Sequence, residues 1–289
     1  MTVSPAVPVS SLALDHPICR TCAVQYEPDV DRGHCRICED ERQYVGADGQ
    51  QWTSLRQLAD EGYRVDVHEE APGLWGVGTT PHLGIGQRGL LIPGDGGNVL
   101  WDCTTMMDDA GLAAVAEQGG IAAIALSHPH YNSSMTDWSR AFGDVPIFVH
   151  ARDREWLGRA DNVELWTGHQ VEVLPGRTMV NVGVHFAGGS VLHWRGTDGR
   201  GALATGDIFN VVADRRWVSF MYSYPNLIPE HPDTIRRALE LVAPFDYNTV
   251  YSAWWGTVLR DDAKAAVMRS AHRYLTHLGL STDGLPDLA

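Results

Sequence analysis

The sequence predicts an α/β protein in which two packed sheets are flanked by helices and preceded by a small cysteine-rich segment. From about Tyr63 to Leu278, short apolar runs bounded by glycine and other turn residues alternate with helical patterns. Strand runs with helices between them are typical of layered domains. Four of the five cysteines lie before this region, in two close pairs. We therefore expect a small N-terminal unit followed by one larger domain.

The charge and hydropathy of the chain exclude some classes of partner. Its 289 residues carry a formal net charge of -14, which disfavours nucleic acid because phosphate contacts need a cationic surface. No run approaches the roughly 18 apolar residues of a membrane helix, so no membrane partner is expected. The segment from Met1 to Leu14 lacks the basic start of a signal peptide. We interpret it as a loose N-terminal arm and expect a cytoplasmic protein.

The N-terminal cysteines have the spacing of a metal-binding ribbon. Cys19 and Cys22 form one Cys-x-x-Cys pair, and Cys35 and Cys38 form a second pair after 12 intervening residues. Two such turns supply the four thiolates of a tetrahedral zinc site, which has no open position and therefore stabilises structure without catalysing a reaction. We predict an arm and zinc ribbon over residues 1–45. The surface of this ribbon is a candidate site for a protein partner.

The first cysteine pair also resembles the first metal-binding turn of rubredoxin, in which the ion is iron. The resemblance covers Cys19-Arg-Thr-Cys22-Ala-Val-Gln-Tyr26. The second pair lacks the Pro-x-Cys-Gly pattern of rubredoxin, and the segment between the pairs is short. Zinc is therefore the expected ion of this structural site, with iron as the alternative.

The first half of the larger domain, which we expect to span residues 46–289, begins with a short helix. Trp52, Leu55 and Leu58 fall at helical spacing, and Thr53 or Ser54 can cap the start. The runs that follow alternate or are wholly apolar, which predicts strands over residues 63–68, 74–77, 89–92 and 99–103. Asp109 is then expected to cap a helix that ends at Gln118.

The second half continues the same alternation of strands and helices. Buried or alternating runs predict strands over residues 120–126, 145–150, 170–174, 178–185, 190–194 and 201–205. Helical patterns are expected over residues 134–142, 152–157, 232–242 and 261–278.

The loop after the predicted strand 120–126 carries the most informative motif of the chain. It reads Ser127-His128-Pro129-His130-Tyr131-Asn132-Ser133. Side chains two residues apart on an extended segment point the same way, so His128 and His130 can converge on one metal ion. Tyr131, beside these two histidines, is a candidate for a polar contact to a substrate.

Two later segments complete a resemblance to a known family. His185 follows an apolar run and precedes a glycine pair, and Asp207 follows Thr205-Gly206 at the end of another predicted strand. A strand-end His-x-His, a glycine-flanked histidine and a strand-end Gly-Asp, in this order, resemble the metallo-β-lactamase superfamily. The resemblance implies an αββα sandwich of two mixed sheets. It also implies that His128, His130 and His185 are the three imidazole ligands of one metal, with Asp207 as the bridging carboxylate.

The chain departs from the family pattern at the second metal site. The family motif is His-x-His-x-Asp-His, but Asn132 and Ser133 occupy its last two positions here. Near the expected final histidine, the chain has Trp254 and Trp255 instead. Because three ligands of the second site are replaced together, we expect a single metal ion in this centre.

One zinc ion held by three neutral imidazoles, with an open position, supplies hydroxide at neutral pH. We predict a metallo-hydrolase acting on an ester, thioester or lactone carbonyl of a small molecule, with Asp207 as a weak ligand or general base. This activity resembles that of the glyoxalase-II-like branch of the superfamily.

Two other functions fit the same residues. Two histidines and one carboxylate form the facial triad of non-haem Fe(II) oxygenases. By resemblance to the persulfide dioxygenases of the superfamily, these would be His128, His185 and Asp207, and Fe²⁺ is the alternative ion. Against this function, His130 is retained and fills a fourth position. The third alternative is a metal-stabilised scaffold with weak or no catalysis.

Overall fold

The computed structural model describes residues 7–196 and 198–285, and it confirms two mixed sheets with helices on their outer faces. The first six residues of the predicted N-terminal arm lie outside the described residues. Within the described ranges, no helix is long and apolar enough to cross a membrane.

The elements follow one another in the order that the sequence pattern indicates, with several additions. The strands are β1 (Ile18–Cys19), β2 (Trp52–Thr53), β3 (Arg64–Ala71), β4 (Leu74–Thr80), β5 (Gly89–Ile92), β6 (Val99–Trp101), β7 (Ala123–Ala125), β8 (Ile147–His150), β9 (Val163–Trp166), β10 (Gln170–Leu174), β11 (Arg177–Asn181), β12 (Ser190–Arg195), β13 (Gly201–Gly206), β14 (Asn210–Val211), β15 (Val218–Ser219), β16 (Met221–Ser223), β17 (Ile228–Pro229), β18 (Thr249–Ser252) and β19 (Val258–Arg260). The α-helices are α1 (Leu55–Asp60), α2 (Asp109–Glu117), α3 (Met135–Ala141), α4 (Pro232–Val242) and α5 (Ala263–His277). Short 3-10 helices lie at Val9–Ser11, Pro129–Tyr131 and Ala151–Trp156.

The two sheets differ in strand direction. The first has the order β3-β4-β5-β6-β7-β8-β9, antiparallel from β3 to β6 and parallel from β6 to β9. The second has the order β10-β11-β12-β13-β18-β19, and only its β13–β18 pair is parallel. Since parallel neighbours end at the same edge, the loops after β6 and β7 lie together, as do those after β13 and β18.

The core consists of three layers of apolar contacts. Between the sheets, Trp101 and Ala123 of the first pack with Met179, Leu192 and Ala204 of the second. Outside the first sheet lie α2 and α3, and outside the second lie α4 and α5. This αββα arrangement confirms the predicted fold class.

Helix α4 illustrates how the sequence pattern creates an outer layer. Ile235, Ala238, Leu239 and Val242 are spaced by three or four residues and are fully buried on one face. Pro232 occupies the first turn, where its missing N–H costs no hydrogen bond. Each large aliphatic side chain contributes about 2 kcal/mol when buried. The helix therefore depends on the sheet that it covers more than on local propensity.

A buried polar network joins the cysteine-rich segment to the larger domain. Gln25 Nε2 donates to Asp137 Oδ2 at 2.9 Å, and Arg159 Nη1 donates to Asp137 Oδ1 at 3.0 Å. Arg159 Nη1 also donates to Gln25 Oε1 at 2.6 Å. All three side chains are buried. Burial of this network is tolerated because each charge has a partner. The network fixes the cysteine-rich segment on α3.

Some predicted boundaries are wrong for local reasons. Helix α2 is capped by Asp108 rather than Asp109, since Asp108 Oδ1 accepts from the Gly111 N–H at 2.7 Å. The strand predicted over residues 178–185 ends at Asn181, because Gly183 and His185 have φ values of 70° and 67°. Strands β9, β16, β18 and β19 were not predicted, because their short runs mix apolar with polar residues, and the two-residue strands are too short to show any period.

Candidate metal centre

The candidate centre lies where loops from the two sheets meet. His128 follows β7 of the first sheet in an extended conformation, and Asp207 directly follows β13 of the second sheet. His130 is not on an extended segment as predicted, because it lies in the 3-10 turn Pro129–Tyr131. His185 lies in the loop between β11 and β12. The structure thus brings the three predicted histidine ligands together and places Asp207, the predicted bridging carboxylate, beside His128.

The three imidazoles present one nitrogen each to a common point. The ligand atoms of His128, His130 and His185 all lie within 4.8 Å of one another. His185 Nε2 and His130 Nδ1 are 3.1 Å apart. This distance is close to that between two nitrogens bound to one tetrahedral zinc ion, which is about 3.3 Å.

Hydrogen bonds to the outer ring nitrogens orient two of these imidazoles. His185 Nδ1 lies 2.7 Å from the Tyr222 carbonyl oxygen, and since that oxygen can only accept, Nδ1 carries the proton. His185 Nε2 is then left with a free lone pair for a metal. His128 Nδ1 lies 2.9 Å from Ser127 Oγ, which leaves its Nε2 directed at Asp207.

The unpaired polar atoms of the site fit a bound cation. His128 Nε2 and Asp207 Oδ1 are 3.3 Å apart. Both are buried, and neither has a hydrogen-bond partner within the described part of the chain. Buried polar atoms are rarely left unpaired, because each costs about 1–3 kcal/mol. A metal ion between the imidazoles and the carboxylate would satisfy both atoms, so the donor set fits the predicted metal.

Burial sets the protonation of the site. It lowers the pKa of His128 and of His130 well below the ordinary value, so both are neutral at pH 7 and able to ligate. Burial also raises the pKa of the Asp207 carboxyl, while the nearby His185 opposes this shift.

Two buried residues that were not predicted from the sequence support the ligands. Asp102, at the end of β6, accepts from the Ser127 N–H at 2.8 Å, and burial raises its pKa to about 8. Glu230 Oε2 accepts from the His185 N–H at 2.7 Å, which helps to hold His185 in its left-handed conformation. No sequence signal marks these residues, because their partners are distant in the chain.

Two of the residues at the second-site positions, Ser133 and Trp254, have other hydrogen-bond partners, whereas Asn132 Nδ2 is buried with no hydrogen-bond partner among the described residues. Ser133 Oγ accepts from Gln87 Nε2 at 2.9 Å. Trp254 lines a cavity beside the centre, and its Nε1 donates to the Ile85 carbonyl at 3.0 Å. Trp255 packs instead against His68 and the glycines of β4. Among the described residues, the only groups of three or more histidine, cysteine or acidic side chains placed to hold a metal are this histidine triad and the four cysteines.

Two tyrosines lie close to the ligands in different ways. The Tyr131 ring is fully buried, with its centroid 4.3 Å from that of His128. Its contact with a substrate stays a prediction. Tyr224 donates to the Asp207 carbonyl at 2.7 Å and lines the cavity. The cavity measures about 360 Å³ and reaches His130 and Asp207.

The four cysteines form a second cluster. Sγ of Cys19 is 3.5 Å from that of Cys38, and Sγ of Cys22 is 3.7 Å from that of Cys35. These distances are close to the separation of two thiolate sulfurs bound to one tetrahedral zinc ion, which is about 3.8 Å. All four are buried, and this confirms that the predicted ligands converge on one point. The identity of the ion stays a prediction.

Comparison with known proteins agrees with this geometry. Residues 89–254 match the family model of the metallo-β-lactamase superfamily. A relative, the uncharacterized protein YmaE of Bacillus subtilis (strain 168), is 45% identical over 265 residues, which cover 90% of this chain and 96% of YmaE.

Solved structures show the same fold at low identity. The metallo-β-lactamase DIM-1, exposed to ceftazidime, has a TM-score of 0.55 and 13% identity, covering 74% of this chain and 98% of DIM-1. The metallo-β-lactamase FIM-1 of Pseudomonas aeruginosa, in its mono-zinc form, has a TM-score of 0.51 and 14% identity, covering 73% of this chain and 96% of FIM-1.

Proposed function

Since the chain belongs to the metallo-β-lactamase superfamily, we propose that it is a mononuclear metallo-hydrolase. Its substrate would be a small molecule with an ester, thioester or lactone carbonyl. The observation that carries this proposal is a buried pair of atoms beside two further imidazoles. These atoms, His128 Nε2 and Asp207 Oδ1, have no hydrogen-bond partner among the residues that the structure describes.

The protein groups around the site have separate roles in this proposal. A bound Zn²⁺ with an open position would lower the pKa of a coordinated water to about 7 and polarise the substrate carbonyl. His128, His130 and His185 would hold the ion. Asp207 would orient the attacking water and accept its proton as general base.

The cavity favours small, partly apolar substrates. Ile85, Pro225 and Trp254 supply apolar walls, and a volume of about 360 Å³ is at the lower end of small-molecule sites.

Loss of the second metal removes one stabiliser of the developing oxyanion. Esters, thioesters and lactones, whose carbonyls are more reactive than amides, therefore suit the site better.

An Fe(II) dioxygenase is the second candidate function. It is favoured by His128 and His185, whose ligand atoms lie within 4.8 Å of each other, and by Asp207 Oδ1, which lies 3.3 Å from His128 Nε2. The position of His130 Nδ1, 3.1 Å from His185 Nε2, favours the hydrolase, because a third imidazole occupies a position that oxygen chemistry leaves open.

Metal analysis combined with a substrate panel tests the proposal. We expect zinc in the purified protein and hydrolysis of some members of a panel of thioesters, lactones and aryl esters. His128→Ala should lose both the metal at this centre and the activity, whereas the control His277→Ala, at an exposed position near the end of α5, should keep both. Iron at the centre with oxygen consumption on a thiol or persulfide would replace the hydrolase with the dioxygenase.

A further inference from the structure

The segment that follows the second cysteine pair forms one wall of the cavity at the metal centre. We call residues 40–44 the ribbon loop. Arg42, Gln43 and Tyr44 of this loop line the cavity together with Thr21 of the first cysteine pair. The same cavity reaches His130 and Asp207. A substrate bound at the metal would therefore touch the cysteine-rich segment as well as the catalytic domain.

Arg42 anchors the ribbon loop to the metal centre. Its Nη1 donates to the His185 carbonyl at 3.3 Å, and its guanidinium lies 3.8 Å from the centre of the Phe186 ring. Asp40 accepts from Arg42 Nη2 at 2.9 Å. The charge of Arg42 is thus already paired with a carboxylate. Its role is to position the loop, and it offers no free cation to an anionic substrate.

The ribbon loop is also held by the β16–β17 hairpin, which supports His185. Asn226 Nδ2 donates to the Glu41 carbonyl at 2.8 Å and to the Gln43 carbonyl at 3.3 Å. The Tyr222 hydroxyl donates to the Glu41 carboxylate, and the Tyr222 carbonyl is the partner of His185 Nδ1. The ribbon loop and a metal ligand therefore share the same support.

Gln43 differs from the other residues of this wall. The residue is 5% exposed, and its Oε1 is buried with no hydrogen-bond partner among residues 7–196 and 198–285. The walls contributed by Ile85, Pro225 and Trp254 are largely apolar. An unpaired amide oxygen in such surroundings costs about 1–3 kcal/mol, which a hydrogen-bond donor on a ligand would recover.

We propose that the ribbon loop is the substrate-recognition element of the metal centre, and that the Gln43 side-chain oxygen accepts a hydrogen bond from the substrate. This inference rests on the proposed hydrolase function. The substrate class is an ester, thioester or lactone that carries an N–H or O–H donor close to the reacting carbonyl, next to an apolar group that packs on Trp254. A buried acceptor discriminates strongly against an analogue that lacks the donor.

Paired substrates test the role of Gln43. One pair is the phenyl esters of N-benzoylglycine and of N-benzoylsarcosine, which differ by N-methylation. The other pair is the phenyl esters of 3-phenyllactate and of its O-methyl ether. In at least one pair, we expect the unmodified protein to prefer the donor-bearing ester by about tenfold in kcat/KM, the effect of one hydrogen bond. Gln43→Met, of similar size, should remove this preference, as should Gln43→Ala.

Controls separate recognition from folding and from the hydrolase proposal. Gln57→Met, at an exposed position of α1, should keep the preference. Both metal sites should stay occupied in all variants. Calorimetry can measure how the free acids of the same pairs bind to the metal-loaded protein. This measurement reports recognition without turnover.

The outcomes distinguish the two proposals. If no ester is cleaved but the donor-bearing acid binds better and Gln43→Met removes the difference, the hydrolase proposal fails and the recognition role stands. Equal binding and equal cleavage within both pairs, no binding of any acid, or an unchanged preference in Gln43→Met would overturn the recognition role.

Discussion

At the scale of single residues, a substitution of Asp207 should distinguish metal binding from catalytic turnover. We predict that Asp207→Asn keeps most of the metal, because three imidazoles remain, but lowers kcat by about a hundredfold or more through loss of the general base. Metal content and steady-state kinetics of the same preparation measure both quantities.

The exposed Asp60 provides a matched control for this substitution. Asp60→Asn, on α1, makes the same chemical change far from the centre and should leave kcat unaltered. Full activity in Asp207→Asn would show that the carboxylate takes no part in the reaction. Loss of the metal would show that it is an essential ligand.

The identity of the candidate ligands could be predicted, but their supports could not. His128, His130, His185 and Asp207 stand out because ligand types recur in a fixed order after apolar runs. Asp102 and Glu230 have no such context. They contact Ser127 and His185 across 25 and 45 residues of chain, so only the folded structure reveals them.

At the scale of elements, the ribbon loop links the cysteine cluster to the cavity. We predict that Cys35→Ser loses the ribbon metal and loosens residues 7–45, since a structural zinc site contributes folding energy. The metal at the histidine centre should remain. Because the ribbon loop follows Cys38 directly, kcat/KM for donor-bearing esters should fall by at least the tenfold expected for Gln43→Met.

The fifth cysteine serves as the control for this experiment. Cys103 is buried outside the cluster, so Cys103→Ala should keep both metals. Loss of both metals in Cys35→Ser would mean that the cysteine-rich segment and the larger domain fold as one unit, against the boundary predicted near residue 45.

Helices with a long pattern and strands with a wholly apolar run were predictable, and short strands of mixed polarity were not. Helix α4 shows four buried residues at helical spacing, and its predicted bounds are confirmed. Strands β9 and β18 have four residues each, and β18 pairs in parallel with β13. Such pairing depends on residues that are distant in the sequence, and it leaves no periodic pattern of apolar residues in the strand itself.

At the scale of the whole molecule, the centre exists because two sheets pack face to face. His128 follows a strand of one sheet, and Asp207 follows a strand of the other. The order of the motifs in the sequence was sufficient to predict this arrangement by resemblance. The position of Arg42 beside His185 was not predictable, because it depends on how the cysteine-rich segment docks on the finished fold.

The number of metal ions per chain tests the central claim most directly, which is that the histidine centre holds a single ion. Element analysis of the purified full chain should give two ions, of which Cys35→Ser and His128→Ala each lose one. Three ions per chain, with two remaining in Cys35→Ser, would contradict the claim. Such a result would mean that Asn132, Ser133 or another residue supports a second metal beside the first.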